Sequence, residues 1–403
     1  MGRVLFVWEL GHGMGHVARA APVLHALRAA GHAVVAALSD LAGSDRWFPA
    51  GEVEVLQAPV WLHTRPGAPK SFTWPQVLLR AGWAEPSSLF GLVRAWRQLV
   101  ERAQPDLLIV DHAPTAMLAA RGLGVPMITI GTGFTTPPQV TPMPSFREWE
   151  RADPQQLGAD EDRALTSAND LLRRLGQPAL RSMAELWDIA ERVVCSWPEL
   201  DHYGVRADLW YNGPEAAVPA GAAPAWPAGD GPRLIAYLKQ DYRPTPVVLE
   251  VLRRLPARTL AYVAGMAAAE AARLSDHRLR LTAQPVDLST IWSGRQGESL
   301  ADGAVCHAGA GTVGQALHGG CPVLMLPIHA EQLLFARRAA STGAARLLTE
   351  PQVPAQLERV AASWLADGSC REAARALGAK HPGHLQDGHR RIVARCQRLM
   401  DGT

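Results

Sequence analysis

Residues 304–336 read AVCHAGAGTVGQALHGGCPVLMLPIHAEQLLFA. Two short apolar runs, 304–306 and 322–326, each end in a polar or turn cluster and lead into a helix-like run. Strand, loop and helix twice in succession predict a doubly wound α/β domain. The first loop, His307 through Thr312, is built of small residues that let backbone N–H groups approach a ligand closely. The helix predicted over 313–318 directs its positive end to the same place, which makes an anion site of the kind used for phosphate. His307 and Thr312 add side-chain donors beside Gly309 and Gly311. The second loop, 327–332, supplies Glu331 and Gln332, an acid that accepts and an amide that does both, a pair suited to sugar hydroxyls.

This segment resembles the donor-binding signature of GT-B glycosyltransferases of the family 1 type, which use nucleotide-activated sugars. The family pattern runs His-Gly-Gly-x-x-Ser/Thr-x-x-Glu-Ala, a Gly-x-Pro strand, then Asp/Glu-Gln. The chain matches at His307, Gly309, Thr312, Ala316, Gly320, Pro322, Glu331 and Gln332, and departs at Ala308 and Gln315. The family has Glu at the latter position, on the ribose; Gln315 keeps a hydrogen bond there without the charge. The resemblance further implies that Gln284-Pro285-Val286 reads the base through its backbone. After the first strand of this half the family carries Gly-Ser facing phosphate, where this chain has Lys239-Gln240. Lys239 is either a charge standing in for backbone donors or a solvated lysine.

Moving upstream, 3–10 (RVLFVWEL) reads as a buried strand, 17–30 as a helix that starts late or kinks at Pro22, and 33–38 (AVVAAL) as the next strand. The glycine-rich turn between them invites a dinucleotide fingerprint, but His16 stands where GxGxxG needs its third glycine, and Asp40 is out of place as the ribose acid. Gly-x-Gly-His at the head of the first helix instead resembles the glycosyltransferase motif whose histidine is the general base, which here is His16. Residues 106–110 form another apolar strand with Asp111 at its end. Open parallel sheets bind ligands outside their carboxyl ends, so His16 and Asp111 are expected to face one crevice. A carboxylate on one imidazole nitrogen fixes the tautomer and favours the imidazolium as it forms. His12 and His112 read as loop or supporting residues.

Residues 58–100 and 134–150 are rich in Trp, Phe and Pro and read as long connections between core elements. Trp61, Trp83 and Phe134 are expected to line the pocket for an apolar or aromatic acceptor, although ordinary packing is the better explanation for any single tryptophan. Asp160-Glu161-Asp162 matches a DxD metal pattern but falls at a predicted helix start, where acids are common, and no metal is assigned. His381, His384, His389 and Cys396 fit no standard zinc spacing.

The expected organisation is α/β with two Rossmann-like domains facing a central cleft, the GT-B arrangement: an acceptor-binding domain over 1–213, with 193–196 as its last strand; an Ala/Pro/Gly-rich linker over 214–232; a nucleotide-sugar domain over 233–385; and a basic helix over 386–403 crossing back to the first domain. The 403 residues suffice for two such cores, and 48% hydrophobic against 19% charged residues describes a globular chain. A net charge of +2 gives no reason to propose nucleic acid. Five scattered cysteines, odd in number and without CxxC, suit free thiols in a reducing cytoplasm. No run of 18 apolar residues suggests an integral membrane segment, and the oligomeric state is left open.

The resemblance therefore implies an inverting, metal-independent glycosyltransferase. It would move sugar from a UDP- or dTDP-sugar to a hydroxyl or other nucleophile of a small-molecule acceptor, with no cofactor beyond the donor. Two other readings stand beside it. The string Gly-Met-Gly-His-Val-x-Arg at 13–19 is also similar to nucleotide-sugar hydrolases that use water as acceptor. A non-catalytic nucleotide-sugar-binding protein is the third reading, although such a binder needs neither His16 nor Asp111.

Overall fold

A computed structural model of the chain describes residues 1–63, 69–215, 221–292, 299–383 and 385–402. They divide into two units: Met1–Cys195, Arg206–Asn212 and His389–Thr403 in the first, Ser196–Val205 and Gly213–Gly388 in the second.

The first unit holds β1 (Arg3–Trp8), β2 (Ala33–Leu38), β3 (Glu54–Gln57), β4 (Leu107–Asp111), β5 (Met127–Gly131), β6 (Glu191–Val194) and β7 (Trp210–Tyr211). They form one parallel sheet in the order β3-β2-β1-β4-β5-β6-β7. Strands covered on both faces are apolar throughout, and β1 is buried from Val4 to Trp8. It stops two residues short of the expected end, because Leu10 N–H leaves the ladder and donates to the His112 carbonyl. The Gly15–Ala29 helix starts earlier than expected and continues through Pro22. Val17, Ala20, Ala21, Val23, Leu24 and Leu27 are buried on its inner side, and that packing outweighs the one hydrogen bond the proline forgoes.

Several expectations change here. The tryptophan-rich 58–100 stretch is not simply loop: Pro86–Ala103 is an 18-residue helix burying Leu89, Val93, Trp96 and Val100 at helical spacing. The first sheet does not end at 193–196, since β7 follows β6 at its edge. Ser196–Val205 belongs to the second unit, where Trp197 and Leu200 join its core and Arg338 donates to the His202 carbonyl. Of the expected linker, 216–220 lie outside the described residues. The flanking residues are tied to the second unit: Ala222 N–H donates to Pro285 O, and Asp287 N–H to Ala222 O. Asp160-Glu161-Asp162 lies inside the Pro154–Arg174 helix, not at its start. There Asp160 accepts from Gln76 Nε2, and Glu161 from the Met143 N–H.

The second unit holds β8 (Arg233–Lys239), β9 (Arg258–Ala264), β10 (Leu279–Thr282), β11 (Gly303–Cys306), β12 (Val323–Met325) and β13 (Ala345–Leu347). The order is β10-β9-β8-β11-β12-β13, again wholly parallel. Alternation along β8 sends Leu234, Ala236 and Leu238 into one core and Ile235 into the other, with Tyr237 packed against the latter. The Gly388–Asp401 helix belongs to the first unit, where Ile392 and Cys396 are buried, Arg395 pairs with Glu191 at 2.7 Å, and Arg391 donates to the Asn212 carbonyl. His384 lies outside the described residues. All five cysteines are free and buried. Among the described residues no helix is long and apolar enough to cross a membrane, and no group of three or more His, Cys, Asp or Glu side chains is placed to hold a metal ion.

Candidate active site

In each sheet the strand order reverses between two neighbours, β1 and β4 in the first and β8 and β11 in the second, and such switch points are where open sheets bind ligands. His16 and Asp111 stand at the first of these places, and His307, Gly309, Gly311 and Thr312 at the second.

At the first, register pairs Trp8 with Asp111, so the two strands end side by side. His16 lies in the first turn of the Gly15–Ala29 helix. Its Nδ1 stands 3.0 Å from Asp111 Oδ2, with the imidazole 14% exposed and the carboxylate fully buried. The Trp8 ring stacks on the imidazole at 5.0 Å and 21°. Arg19, one helical turn further on, reaches the same Oδ2 with Nη1 at 2.7 Å. Burial pushes the Asp111 carboxyl up, but His16 and Arg19 together outweigh it, and the group sits below the usual carboxylate range. The buried aspartate therefore stays an anion able to orient an imidazole.

The sequence reading did not single out Arg19 as a site residue, although its spacing of three from His16 puts both on one helix face. Glu9 was also missed. It is 4% exposed, accepts from the Thr115 N–H at 2.8 Å, and is raised to about 7 by burial. His112 takes a left-handed φ of 52° beside Asp111. Gly11, at φ 90°, lies where a Cβ would stand 2.8 Å from His16 Nε2, so a side chain there would crowd that nitrogen.

The three aromatic acceptor candidates are placed differently. Trp83 is fully enclosed, its Nε1–H bonded to Thr115 Oγ1 at 2.9 Å, and offers no surface to a ligand. Trp61 is half-buried and donates to the His63 carbonyl. Phe134 is buried among Trp74, Phe146 and His112.

At the second place, His307 follows β11. Its Nδ1 contacts the Leu326 carbonyl at 2.8 Å, and its Nε2 accepts the Lys239 N–H at 3.0 Å. Burial lowers its pKa, which keeps the ring neutral with a proton on Nδ1. Both nitrogens are thus engaged within the protein, and the side-chain donor expected of His307 is already spent holding β8, β11 and the post-β12 loop together. Donors to an anion come instead from the backbone: the helix Ala310–His318 begins after Gly309, and at Gly309 and Gly311 a Cβ would meet nothing within 4 Å. Thr312 lies in its first turn, and the Lys239 side chain is exposed. Gln315 is buried and donates to the Glu215 carbonyl at 2.9 Å, a use of the amide that the expected ribose contact did not foresee. Glu331 and Gln332 open the Ala330–Ser341 helix, and Gln332 Oε1 accepts from Ile328 N–H. Gln284 is exposed, whereas the Val286 N–H and carbonyl both meet the Tyr237 hydroxyl at 3.2 Å.

No family model matches the chain, and no curated protein matches it. Solved structures do. The chain is 18% identical to CalG4, the calicheamicin glycosyltransferase, over 99% of its own length and 98% of that protein's, with a TM-score of 0.74. It is 18% identical to the glycosyltransferase VinC in complex with DTDP over the whole of both chains, TM-score 0.66. It is 20% identical to the spinosyn rhamnosyltransferase SpnG complexed with spinosyn aglycone, covering 97% and 99%, TM-score 0.61. The chain has the GT-B fold of these glycosyltransferases.

Proposed function

We propose that the chain is a glycosyltransferase that moves a sugar from a nucleoside-diphosphate sugar to a hydroxyl of a small-molecule acceptor, with inversion and without a metal. The observation that carries this reading is the contact of His16 Nδ1 with the buried Asp111. With its Nδ1 proton toward the carboxylate, His16 keeps the Nε2 lone pair for the acceptor proton, and Asp111 steadies the imidazolium as it forms. A side chain at position 11 would crowd that nitrogen, and glycine avoids this. The N–H groups opening the Ala310–His318 helix suit the charge that grows on the departing diphosphate. Glycosyltransferase neighbours described with DTDP and with an aglycone support a donor and an acceptor of these classes.

The test is transfer from UDP- and dTDP-sugars to a panel of phenols and alcohols, with binding of each nucleotide followed separately. A positioned base is worth about 10²–10⁴ in rate. His16→Ala is expected to lose turnover on that scale while binding nucleotide as the parent does. Turnover by His16→Ala near the parental rate, with binding intact, would remove His16 as the base. Sugar released only to water would favour the hydrolase.

A further inference from the structure

The mechanism above gives no part to Arg19, a cation that meets the partner of the base. His16 and Arg19 stand three residues apart on one face of the Gly15–Ala29 helix. Asp111 Oδ2 lies 2.7 Å from Arg19 Nη1 and 3.0 Å from His16 Nδ1, so the oxygen is nearer the guanidinium than the imidazole. The carboxylate is fully buried and each basic side chain is 14% exposed, so solvent screens the three groups little. In the form that accepts a proton, neutral His16 and ionised Asp111 carry one negative charge between them. The guanidinium, always charged, cancels it. A proton that joins the pair therefore enters a cluster of zero net charge, next to a fixed cation.

Other titratable groups stand close. The His112 ring is tilted toward His16 at 5.8 Å, and burial lowers its pKa to about 3, so it is neutral near pH 7. His12 is exposed and near enough to act on His112. Glu9, next to the Trp8 that stacks on His16, is raised to about 7 by burial. Only Arg19 is a permanent cation on the shared oxygen.

Resting on the reading above, we propose that Arg19 is a positioning residue for the transfer: through Asp111 Oδ2 it keeps the His16–Asp111 pair free of an extra proton near neutral pH. Such a proton disables the pair whichever member holds it. An imidazolium has no lone pair for the acceptor hydroxyl, and a neutral carboxyl no longer favours the imidazolium as it forms. Without the cation the pair, left with its negative charge, binds the proton more readily. The same cation opposes the imidazolium formed during transfer, so Arg19 trades strength of the base for its availability.

The experiment follows kcat/KM for the acceptor from about pH 5 to about pH 9, the range that brackets a histidine base. It compares the parent with Arg19→Lys, Arg19→Gln and Arg19→Met, each first checked for a cooperative thermal transition. Lysine keeps a cation for Asp111, glutamine keeps a donor without charge, and methionine keeps neither. Two variants without the charge are used so that the failure of one to fold leaves the other. The acidic limb of the profile reports proton uptake by the pair. Its midpoint should move up by about one pH unit in the glutamine and methionine variants, which lowers kcat/KM about tenfold at equal pH on the limb and leaves the gap to close above it. Arg19→Lys should keep the parental midpoint, and nucleotide binding should be parental in all. Glu9, His12 and His112 are common to every variant, so the difference between profiles belongs to position 19. An unmoved midpoint in the glutamine or methionine variant, with the plateau alone lowered, would reduce Arg19 to a structural brace and overturn the proposal by itself. A midpoint moved as far in Arg19→Lys would assign the shift to lost geometry and overturn it too. A parent that neither transfers nor hydrolyses a donor, or full turnover by His16→Ala, would overturn it together with the proposed function.

Discussion

Arg19 Nη1 lies 2.7 Å from Asp111 Oδ2, the same oxygen that His16 Nδ1 reaches at 3.0 Å. One buried carboxylate thus answers two basic side chains of one helix, and among the described residues losing Arg19 leaves it with the imidazole as its remaining basic contact. Removing one partner of a buried ion pair typically costs about 3–5 kcal/mol. Arg19→Met is expected to lose stability on that scale in urea unfolding at pH 7. The aspartate's folded pKa is depressed, so its contribution is complete above its ordinary value of about 4 and is lost as pH falls through the lower folded value. The acid-unfolding midpoint of Arg19→Met should accordingly move to higher pH; an unmoved midpoint would deny the pair its role.

Gly11→Ala should separate chemistry from folding. The new methyl would stand 2.8 Å from His16 Nε2, at a φ of 90° that side chains rarely adopt. The left-handed backbone costs about 1–2 kcal/mol, which a chain with this much core should survive. Transfer should fall far more than stability does, with nucleotide binding unaffected. Parental kcat in the folded variant would show that acceptors approach His16 from elsewhere.

Glu9 gives a pH dependence of the opposite sign to Asp111. Its carboxyl rises from 4.5 to about 7 through burial, so between those values the folded chain holds a proton that the unfolded chain has lost. Stability therefore drops as pH rises through that window, by on the order of 3 kcal/mol. Glu9→Gln keeps an acceptor for the Thr115 N–H and removes the titration. It should be more stable than the parent at pH 8, and the gap should close by pH 5. A constant gap across that range would mean that Glu9 is already ionised in the fold.

His307→Leu tests whether that histidine works chiefly as a brace. The substitution leaves the Leu326 carbonyl and the Lys239 N–H without their partner, at about 1–3 kcal/mol for each buried group. A lowered Tm in the absence of nucleotide is the expected result. A variant of parental Tm with weakened nucleotide binding would instead give His307 the direct phosphate contact first expected of it.

Much of this protein could be read along the chain because its signals are local. A strand buried on both faces is an apolar run, and a glycine-rich turn into a helix is a short string; both survive without knowledge of what packs against them. So β1, β2, β4 and the strands between 304 and 336 were legible, as was the meeting of His16 with Asp111, since a parallel sheet puts all its carboxyl ends on one side, whereas the helix expected from 313 begins at Ala310 and takes in Gly311 and Thr312. Pro86–Ala103 was hidden by tryptophans that looked like loop aromatics, and β7 by having only two residues.

What the sequence by itself determined is the alternation of strand and helix and the few residues that line a strand end, because spacing and residue type are properties of the chain. The tertiary structure alone decided how each polar atom is used. It gave Arg19 to Asp111, turned both His307 nitrogens inward, tied Gln315 to the Glu215 carbonyl, sealed Trp83 against Thr115, and set His112 beside Gly11 with its nitrogens unpartnered among the described residues. A hydrogen bond depends on a few tenths of an ångström and a direction, and those are fixed only when distant segments pack.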